Sequence, residues 1–224
     1  MATSPRLIIG NLALSSWSMR PWVLMRALGI EFEHEVVRLD RPETRATIKD
    51  RSPSGLVPCL VLPDGQAVWD SLAIAEFLAE RNEGVWPGDA RLRAHARCAS
   101  AEMHAGFKDL RTVWPMDLTV EGAGLHAGPA VRRDLGRVLA LWSEALGMSG
   151  GPFLYGGFCA ADAMFAPVVT RERTYGPAAM SEACRAYADR VWDHPAVRAW
   201  RDGAAAEARA GWYDLPARGE GGAA

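Results

Sequence analysis

The feature that most constrains the fold is a change in hydrophobic pattern near residue 84. Before it, short apolar runs alternate with helix-like segments, whereas apolar residues after residue 90 recur every three or four positions. The stretch between them, GVWPGDA, holds two glycines and a proline, which are typical of a linker. The sequence therefore predicts a mixed α/β domain over residues 1–84 and an all-helical domain over 91–215. Residues 85–90 are the expected linker, and residues 216–224 a flexible tail.

The first half predicts a small mixed sheet with helices on both faces, in the order β-α-β-α-β-β-α. The most informative segment is the Asp64-Gly65 turn between two short apolar runs, which is a strong signal for a β-hairpin. Pro21 suits the first position of a helix, where its missing N–H costs nothing. The predicted strands are Arg6–Asn11, 32–39, 57–62 and 66–69, and the predicted helices are Pro21–Leu28, a short one within 40–54, and 71–80.

The second half predicts helices only. One apolar stripe runs from Leu92 to Trp114, and we expect Pro115 to end or kink that helix. A second helix is expected from Pro129, with Gly147 as its stop. Further helices are predicted near Cys159, near Met180 and after Pro195.

Composition excludes several kinds of partner. The 224 residues include 25 Lys and Arg against 27 Asp and Glu, so the formal net charge is −2. Such a chain lacks the basic field that holds nucleic acid or an anionic membrane surface. No apolar run approaches the roughly 18 residues of a membrane span. We therefore expect no nucleic-acid partner and no membrane partner.

The four cysteines indicate free thiols rather than a metal site. Cys59, Cys98, Cys159 and Cys184 are far apart and form no CxxC pair, so neither a structural zinc site nor any other metal is signalled. The N-terminus lacks the layout of a signal peptide. We expect a cytoplasmic protein with no metal.

Two pairs of polar residues lie where a helix is expected to begin. Ser15 and Ser16 follow the first strand, and Asp70-Ser71 follows the hairpin. The first N–H groups of a helix are unpaired and carry the positive end of its dipole, so they attract an anion. Serine and aspartate are also preferred helix caps, and for either pair alone capping is the stronger interpretation.

Val57-Pro58 precedes the third strand. A cis bond there would turn the Val57 backbone outward, so that it could pair with an extended peptide. A proline that merely begins a strand is the simpler alternative.

Cys159 and Asp162 have the spacing of a capping box, in which the side chain of the third helical residue accepts a hydrogen bond from the backbone of the residue that precedes the helix. We interpret this pair as structural. Because a thiol accepts hydrogen bonds poorly, we expect a weaker cap than serine or threonine would make.

Taken together, in this order and with a helical second half, these features resemble the glutathione transferase family. The resemblance extends from Arg6 to about Asp214. It implies a thioredoxin-like N-terminal domain, an all-helical C-terminal domain, a homodimer, and glutathione as co-substrate. The residues that the resemblance assigns to glutathione are Ser15, Ser16, Arg20, Val57, Pro58, Asp70 and Ser71.

The SSWS string is most similar to the zeta class of that family, which carries SSCS followed by an aromatic residue and arginine. Here Met19 replaces the aromatic residue and Arg20 is kept. By this alignment the hydroxyl that activates the glutathione thiol is on Ser15, which we favour. Serine-type patterns of the delta and theta classes would assign it to Ser16. Trp17 stands in the cysteine position, so thiol-exchange chemistry lacks its nucleophile.

The zeta class also carries an arginine seven residues after the proline of a later helix. Counted from Pro167, that position is Thr174, and Arg173 comes one residue early.

The resemblance implies that an electrophile lies over the glutathione sulfur, against the helical domain. An arginine in such a cleft can hold an anionic group of the substrate. Core packing is the alternative for the apolar candidates. The candidate residues are Trp17, Phe107, Arg111, Trp114 and Met116.

The predicted function is a glutathione transferase that conjugates glutathione to small electrophiles in detoxification, by means of a serine-stabilised thiolate. A glutathione-dependent isomerase or peroxidase would use the same glutathione site with a different acceptor cleft. A non-catalytic binding module of the same fold is the third hypothesis.

Overall fold

Four short strands form one mixed sheet in the N-terminal half. The computed structural model describes residues 4–39, 41–124, 127–176 and 178–213. The strand order is β2-β1-β3-β4, with β2 parallel to β1 and the other two pairings antiparallel. The strands are β1 (Arg6–Gly10), β2 (Glu33–Val37), β3 (Cys59–Val61) and β4 (Ala67–Trp69).

Three helices accompany the sheet, and the described part of the second half is almost entirely helical. The predicted β-α-β-α-β-β-α order of the first half and the fold, thioredoxin-like and then all-helical, are confirmed. The helices are α1 (Ser16–Ala27), α2 (Thr44–Lys49), α3 (Ser71–Ala79), α4 (Ala90–Ala105), α5 (Lys108–Val113), α6 (Pro129–Ser149), α7 (Ala160–Tyr175), α8 (Glu182–Asp193) and α9 (Pro195–Arg209).

Helix α1 begins five residues earlier than the pattern predicts. Ser15 has non-helical dihedrals and precedes the first helical residue, Ser16, so Pro21 lies inside the helix rather than at its start. The helix forgoes the bond that a residue-21 N–H would make to the carbonyl of Trp17. Both serines of the candidate site consequently lie at the true N-terminus of α1.

The long stripe after residue 90 is broken into two helices. Helix α4 ends at Ala105, and Phe107 adopts a left-handed conformation with φ of 59° before α5 begins. The helix is therefore interrupted at Phe107, whereas the sequence predicts the interruption at Pro115. Helix α6 also differs from its prediction, because it continues through Gly147 and ends at Gly150, whose φ of 63° provides the left-handed stop.

One buried apolar cluster runs through both halves of the molecule. Helix α1 packs against α7 and α9, and the Trp22 and Trp200 rings meet edge to face at 5.3 Å. A smaller cluster on the other face of the sheet contains Ile8, Ile48 and Cys59. Because one core joins the two halves, the division of the chain into two domains at residues 85–90 remains a prediction. The predicted tail at 216–224 lies outside the described residues.

Within the described ranges, no helix is both long enough and apolar enough to cross a bilayer. The four cysteines are free thiols, and only Cys98 is exposed.

Candidate functional site

The hydroxyl of Ser15 is committed to a short network beneath the N-terminus of α1. Its Oγ donates to Ser18 Oγ at 2.7 Å, and Ser18 Oγ accepts from the Gly10 N–H at 3.0 Å. All three residues are buried. The network ties the start of α1 to the end of β1, so Ser15 has a structural role whatever else it does.

Ser16, the first residue of α1, is also buried, but its hydroxyl makes no hydrogen bond to any residue that the structure describes. It lies beside the first N–H groups of α1, which have no acceptor within the helix. The N-terminus of α1 therefore offers a free hydroxyl donor and the positive end of a helix dipole at one point.

The Val57-Pro58 peptide bond is cis. Pro58 is buried, Val57 is half-buried, and the sheet ladder begins only at Cys59. Val57 thus lies outside the ladder, and pairing of its backbone with an extended peptide, which the resemblance implies, remains a prediction.

Asp70 caps α3 with one carboxylate oxygen and leaves the other for a second partner. Its φ is 75°, and its Oδ1 accepts from the N–H groups of Leu72 at 2.8 Å and Ala73 at 3.3 Å. Its Oδ2 lies 3.3 Å from His104 Nε2. The next residue, Ser71, is buried. Asp70 and Ser71 thus meet α1 and α4 at one corner of the fold.

Trp17 lies between two guanidinium groups. Arg20 of α1 stacks on the indole at 4.2 Å from its centroid, and Arg111 of α5 at 4.6 Å. Arg20 also donates to Ser71 Oγ at 3.3 Å, which connects α1 to α3. The half-buried indole of Trp17 thereby joins the two halves of the molecule at the candidate site.

Positive charge accumulates around this indole. Arg20 is only 2% exposed, and its pKa is lowered first by burial and then by the charges of Arg111 and Arg171, while Asp70 raises it. Burial likewise lowers the pKa of Arg171 to about 10, with a further lowering by Arg111. Because nearby guanidinium charges lower the pKa of Arg20 and of Arg171, an anion is favoured in this region.

The structure gives Arg111 a capping role at the end of α4. Its Nε donates to the carbonyl of Gly106 at 3.1 Å, and its Nη2 donates to the carbonyls of Met103 and His104. These bonds satisfy carbonyls that the break at Phe107 leaves free. A contact between Arg111 and an electrophile remains a prediction.

The other residues expected to face an electrophile are buried in the common core. Phe107, Trp114 and Met116 all belong to it, and Trp114 stacks on Tyr175 at 5.3 Å between ring centroids. Packing, the alternative for such a stripe, accounts for their positions. Of the five residues predicted for the electrophile, Trp17 and Arg111 lie beside the candidate glutathione site, and a role for the other three remains a prediction.

His104 is the residue of this site that sequence reasoning missed. It lies in the last turn of α4, and its ring meets that of Trp17 edge to face at 5.2 Å. No spacing in the sequence signals it, because its partner Asp70 belongs to a different helix and only the packing of α3 on α4 joins them.

The capping box at α7 forms as the sequence predicts. Asp162 accepts from the N–H groups of Cys159 at 2.9 Å and Leu154 at 3.1 Å, and the Cys159 side chain accepts from the backbone in return. Burial raises the pKa of Asp162 to about 6 and that of the Cys159 thiol well above its usual value. Cys159 is therefore an unreactive thiol in a structural role.

No group of three or more His, Cys, Asp or Glu side chains in the described residues is arranged to hold a metal ion.

Comparison with known proteins agrees with this geometry. Residues 14–81 match the family model of the glutathione S-transferase N-terminal domain. A probable maleylacetoacetate isomerase from Caenorhabditis elegans is 33% identical over 106 residues, which cover 46% of this chain and 49% of that relative. The match thus spans about half the length of this curated relative.

Solved structures resemble the whole chain. A glutathione transferase homologue from Burkholderia with bound glutathione has a TM-score of 0.67 at 23% identity, covering 90% of this chain and 98% of its own. A Tau-class transferase from mango, Mangifera indica, has a TM-score of 0.67 at 19% identity, covering 94% and 99%. A sphingomonad glutathione S-transferase complexed with glutathione has a TM-score of 0.63 at 22% identity, covering 89% and 98%.

At these identities the solved structures establish the fold: a thioredoxin-like domain followed by an all-helical domain. The family model matches the N-terminal segment that contains the two serines, the cis-proline and the Asp70-Ser71 pair. Residues 14–81 are thus similar to the glutathione S-transferase N-terminal domain, and the chain has the fold of the solved transferases.

Proposed function

We propose that the protein is an enzyme that binds glutathione and conjugates it to small electrophiles. The observation that carries the proposal is the coincidence, in a domain matching the transferase model, of a free hydroxyl at the start of α1, a Val57 backbone outside the sheet ladder and an acidic cap at α3. Bound glutathione in the Burkholderia and sphingomonad structures supports the same ligand here.

Glutathione matches the chemistry of each part of this site. Its extended backbone pairs with Val57, its γ-glutamyl ammonium meets Asp70, and its γ-glutamyl carboxylate meets Ser71 and the first N–H groups of α3. Its sulfur then faces the start of α1. The hydroxyl of Ser16 supports that residue as the donor to sulfur, because the hydroxyl of Ser15 is already bonded to Ser18.

The donor and the helix dipole suffice to ionise the thiol near neutral pH. A free thiol has a pKa of about 8.5, and lowering it by about two units takes roughly 2.7 kcal/mol of preference for the thiolate. One charge-assisted hydrogen bond supplies about 1.5–3 kcal/mol, and the helix dipole adds about 0.3–1 kcal/mol. The serine stabilises the thiolate, which then attacks the electrophile.

The test is a calorimetric titration with glutathione near neutral pH, in two buffers of different ionisation enthalpy. Conjugation chemistry predicts binding with release of close to one proton, since the thiol ionises on the protein. Binding without proton release would favour a non-catalytic binding module, and absence of binding at millimolar glutathione would refute the proposal.

A glutathione-dependent isomerase is the second candidate, and the probable maleylacetoacetate isomerase relative favours it. Against it, Thr174 occupies the position of the zeta-class arginine and donates to the carbonyl of Asp117, while Arg173 is paired with Asp189. A substrate panel distinguishes the two reactions, because an isomerase regenerates free glutathione and a transferase consumes it.

We further propose a cytoplasmic homodimer. The exposure of Leu56 and Trp69, at 69% and 46%, supports an interface near the β3–β4 hairpin. Light scattering on the purified protein measures the mass directly, and a monomer at micromolar concentration would contradict this proposal.

A further inference from the structure

His104 contacts the one carboxylate oxygen of Asp70 that does not cap α3. Asp70 Oδ1 already accepts two backbone N–H groups, so Oδ2 is the oxygen that remains for an incoming ammonium. His104 Nε2 lies 3.3 Å from that same oxygen. An ammonium at Asp70 therefore shares its acceptor with the imidazole.

The surroundings of His104 favour its neutral form. Its Nδ1 is buried and has no hydrogen-bond partner among the described residues, so a proton there would be an unsatisfied buried donor. The neutral ring with its proton on Nε2 instead donates to Asp70 and leaves Nδ1 bare. Apart from Asp70 on α3, the charged groups that face this ring are Arg20 from α1 and Arg111 from α5.

Burial and these charged groups shift the pKa of His104 in different directions. Burial is the largest cause and lowers the pKa of His104, Asp70 raises it, and Arg20 and Arg111 lower it again. The net pKa is below the usual value of 6.5. A pKa below 6.5 leaves the ring mainly neutral at neutral pH, and the imidazolium forms only at lower pH.

We propose that His104 is a positioning residue for the γ-glutamyl ammonium of glutathione: its neutral imidazole orients Asp70 Oδ2 toward the ligand, and its protonation weakens binding. This inference rests on the proposed function and adds to it a pH-sensitive contact from the helical domain. A neutral imidazole shares Oδ2 with the ammonium through one uncharged N–H donor, whereas an imidazolium binds the carboxylate more strongly and repels the ammonium. Affinity is therefore complete above the pKa of His104 and is lost as the pH falls through it.

The size of the effect has an upper bound. If the ligand binds only the neutral form, the dissociation constant rises by the factor 1 + 10^(pKa − pH). With the ordinary histidine pKa of about 6.5 as the limit, the rise at pH 5.5 is at most about elevenfold, which corresponds to about 1.4 kcal/mol.

The experiment measures the affinity for S-methylglutathione by calorimetry between pH 5.5 and pH 7.5. This probe keeps the γ-glutamyl group, but its sulfur carries no proton, so thiol ionisation does not enter. The test variant is His104→Gln, whose amide N–H reaches Asp70 but does not titrate. The matched control is His95→Gln on the same helix, where the histidine contacts Tyr155 and Glu144 instead.

We expect the wild type and His95→Gln to lose affinity as the pH falls, by at most about elevenfold at pH 5.5, and His104→Gln to lose less than either. A wild type that binds at pH 7.5 with a flat profile would overturn this inference alone, as would a His104→Gln variant that keeps the wild-type slope. If neither S-methylglutathione nor glutathione binds at pH 7.5, the proposed function fails, and this inference with it.

A second measurement does not depend on the folding of the variant. The His104 ring is titrated by NMR in the wild-type protein, with and without S-methylglutathione. The inference requires the pKa of His104 to fall when the ligand binds, and an unchanged or raised pKa would overturn it.

Discussion

The two adjacent serines at the start of α1 are predicted to differ in function. Replacing Ser16 with alanine removes the hydroxyl that has no partner in the described part of the protein. Replacing Ser15 instead breaks the 2.7 Å bond to Ser18. We therefore expect Ser16→Ala to raise the pKa of bound glutathione, and Ser15→Ala to affect mainly the free energy of unfolding.

The magnitude follows from the loss of one hydrogen bond to a charged acceptor. About 1.5–3 kcal/mol corresponds to an increase of roughly one to two units in the pKa of the bound thiol. Below that pKa the thiolate fraction, and with it kcat/KM, falls by about 10- to 100-fold. Ser15→Ala should lower the free energy of unfolding by about 1 kcal/mol, with less than threefold change in thiolate fraction.

The assay is the ultraviolet absorbance of bound thiolate as a function of pH, together with kcat/KM for a simple aryl halide. Ser16→Ala should regain most of its activity at alkaline pH, since the missing hydroxyl affects only ionisation. Ser181→Ala is the control, because it removes the N-cap of α8, far along the chain, at a similar cost in stability. A raised thiol pKa in Ser15→Ala with an unchanged one in Ser16→Ala would refute this assignment.

Three further predictions concern the residues that support the site and the fold. Ser18→Ala leaves the buried Gly10 N–H without its acceptor, so urea unfolding should show a loss of about 1–3 kcal/mol, and a loss under 0.5 kcal/mol would contradict the network. Cys159→Ser replaces a weak acceptor in the α7 capping box by a good one, so we expect a gain of about 0.5–1 kcal/mol, and a lowered melting temperature would disprove it. Because the pKa of Asp162 is raised to about 6, the native state binds its proton more tightly than the unfolded state, and stability falls as the pH rises toward 6. Relative to Asp162→Asn, the wild type should therefore lose about 1 kcal/mol between pH 5 and pH 7, and equal pH slopes would contradict the shift.

Sequence reasoning predicted the order of elements because each depends on local patterns. The Asp64-Gly65 turn, the apolar periods and the caps act within a few residues, so the sheet and helices follow from the chain alone. The break at Phe107 was missed for the opposite reason. A left-handed phenylalanine has no local signature, and its conformation is maintained by Arg111, which returns to the carbonyls of α4.

The candidate site shows the same contrast between features set by local sequence and features set by packing. Ser15, Ser16, Val57 and Asp70 were predictable as a set because each lies at the start of a helix or just before a strand. Their actual bonding was not, because the Ser15 hydroxyl is occupied by Ser18 only once α1 begins at Ser16 rather than at Pro21. His104 depends entirely on the packing of the two halves.

The packing of the two halves also explains why an anionic ligand suits this corner. Arg20 and Arg111 stack on Trp17, Arg111 and Arg171 lower the pKa of Arg20, and Asp70 is the acidic group that raises it. Glutathione carries one net negative charge, and its thiolate adds a second, so as the proposed ligand it would relieve a repulsion among these arginines. Burial strengthens each of these interactions, because fewer water molecules screen them. In the proposed complex, the helical domain contributes to binding through the positive field that Arg111 and Arg171 add at the candidate site.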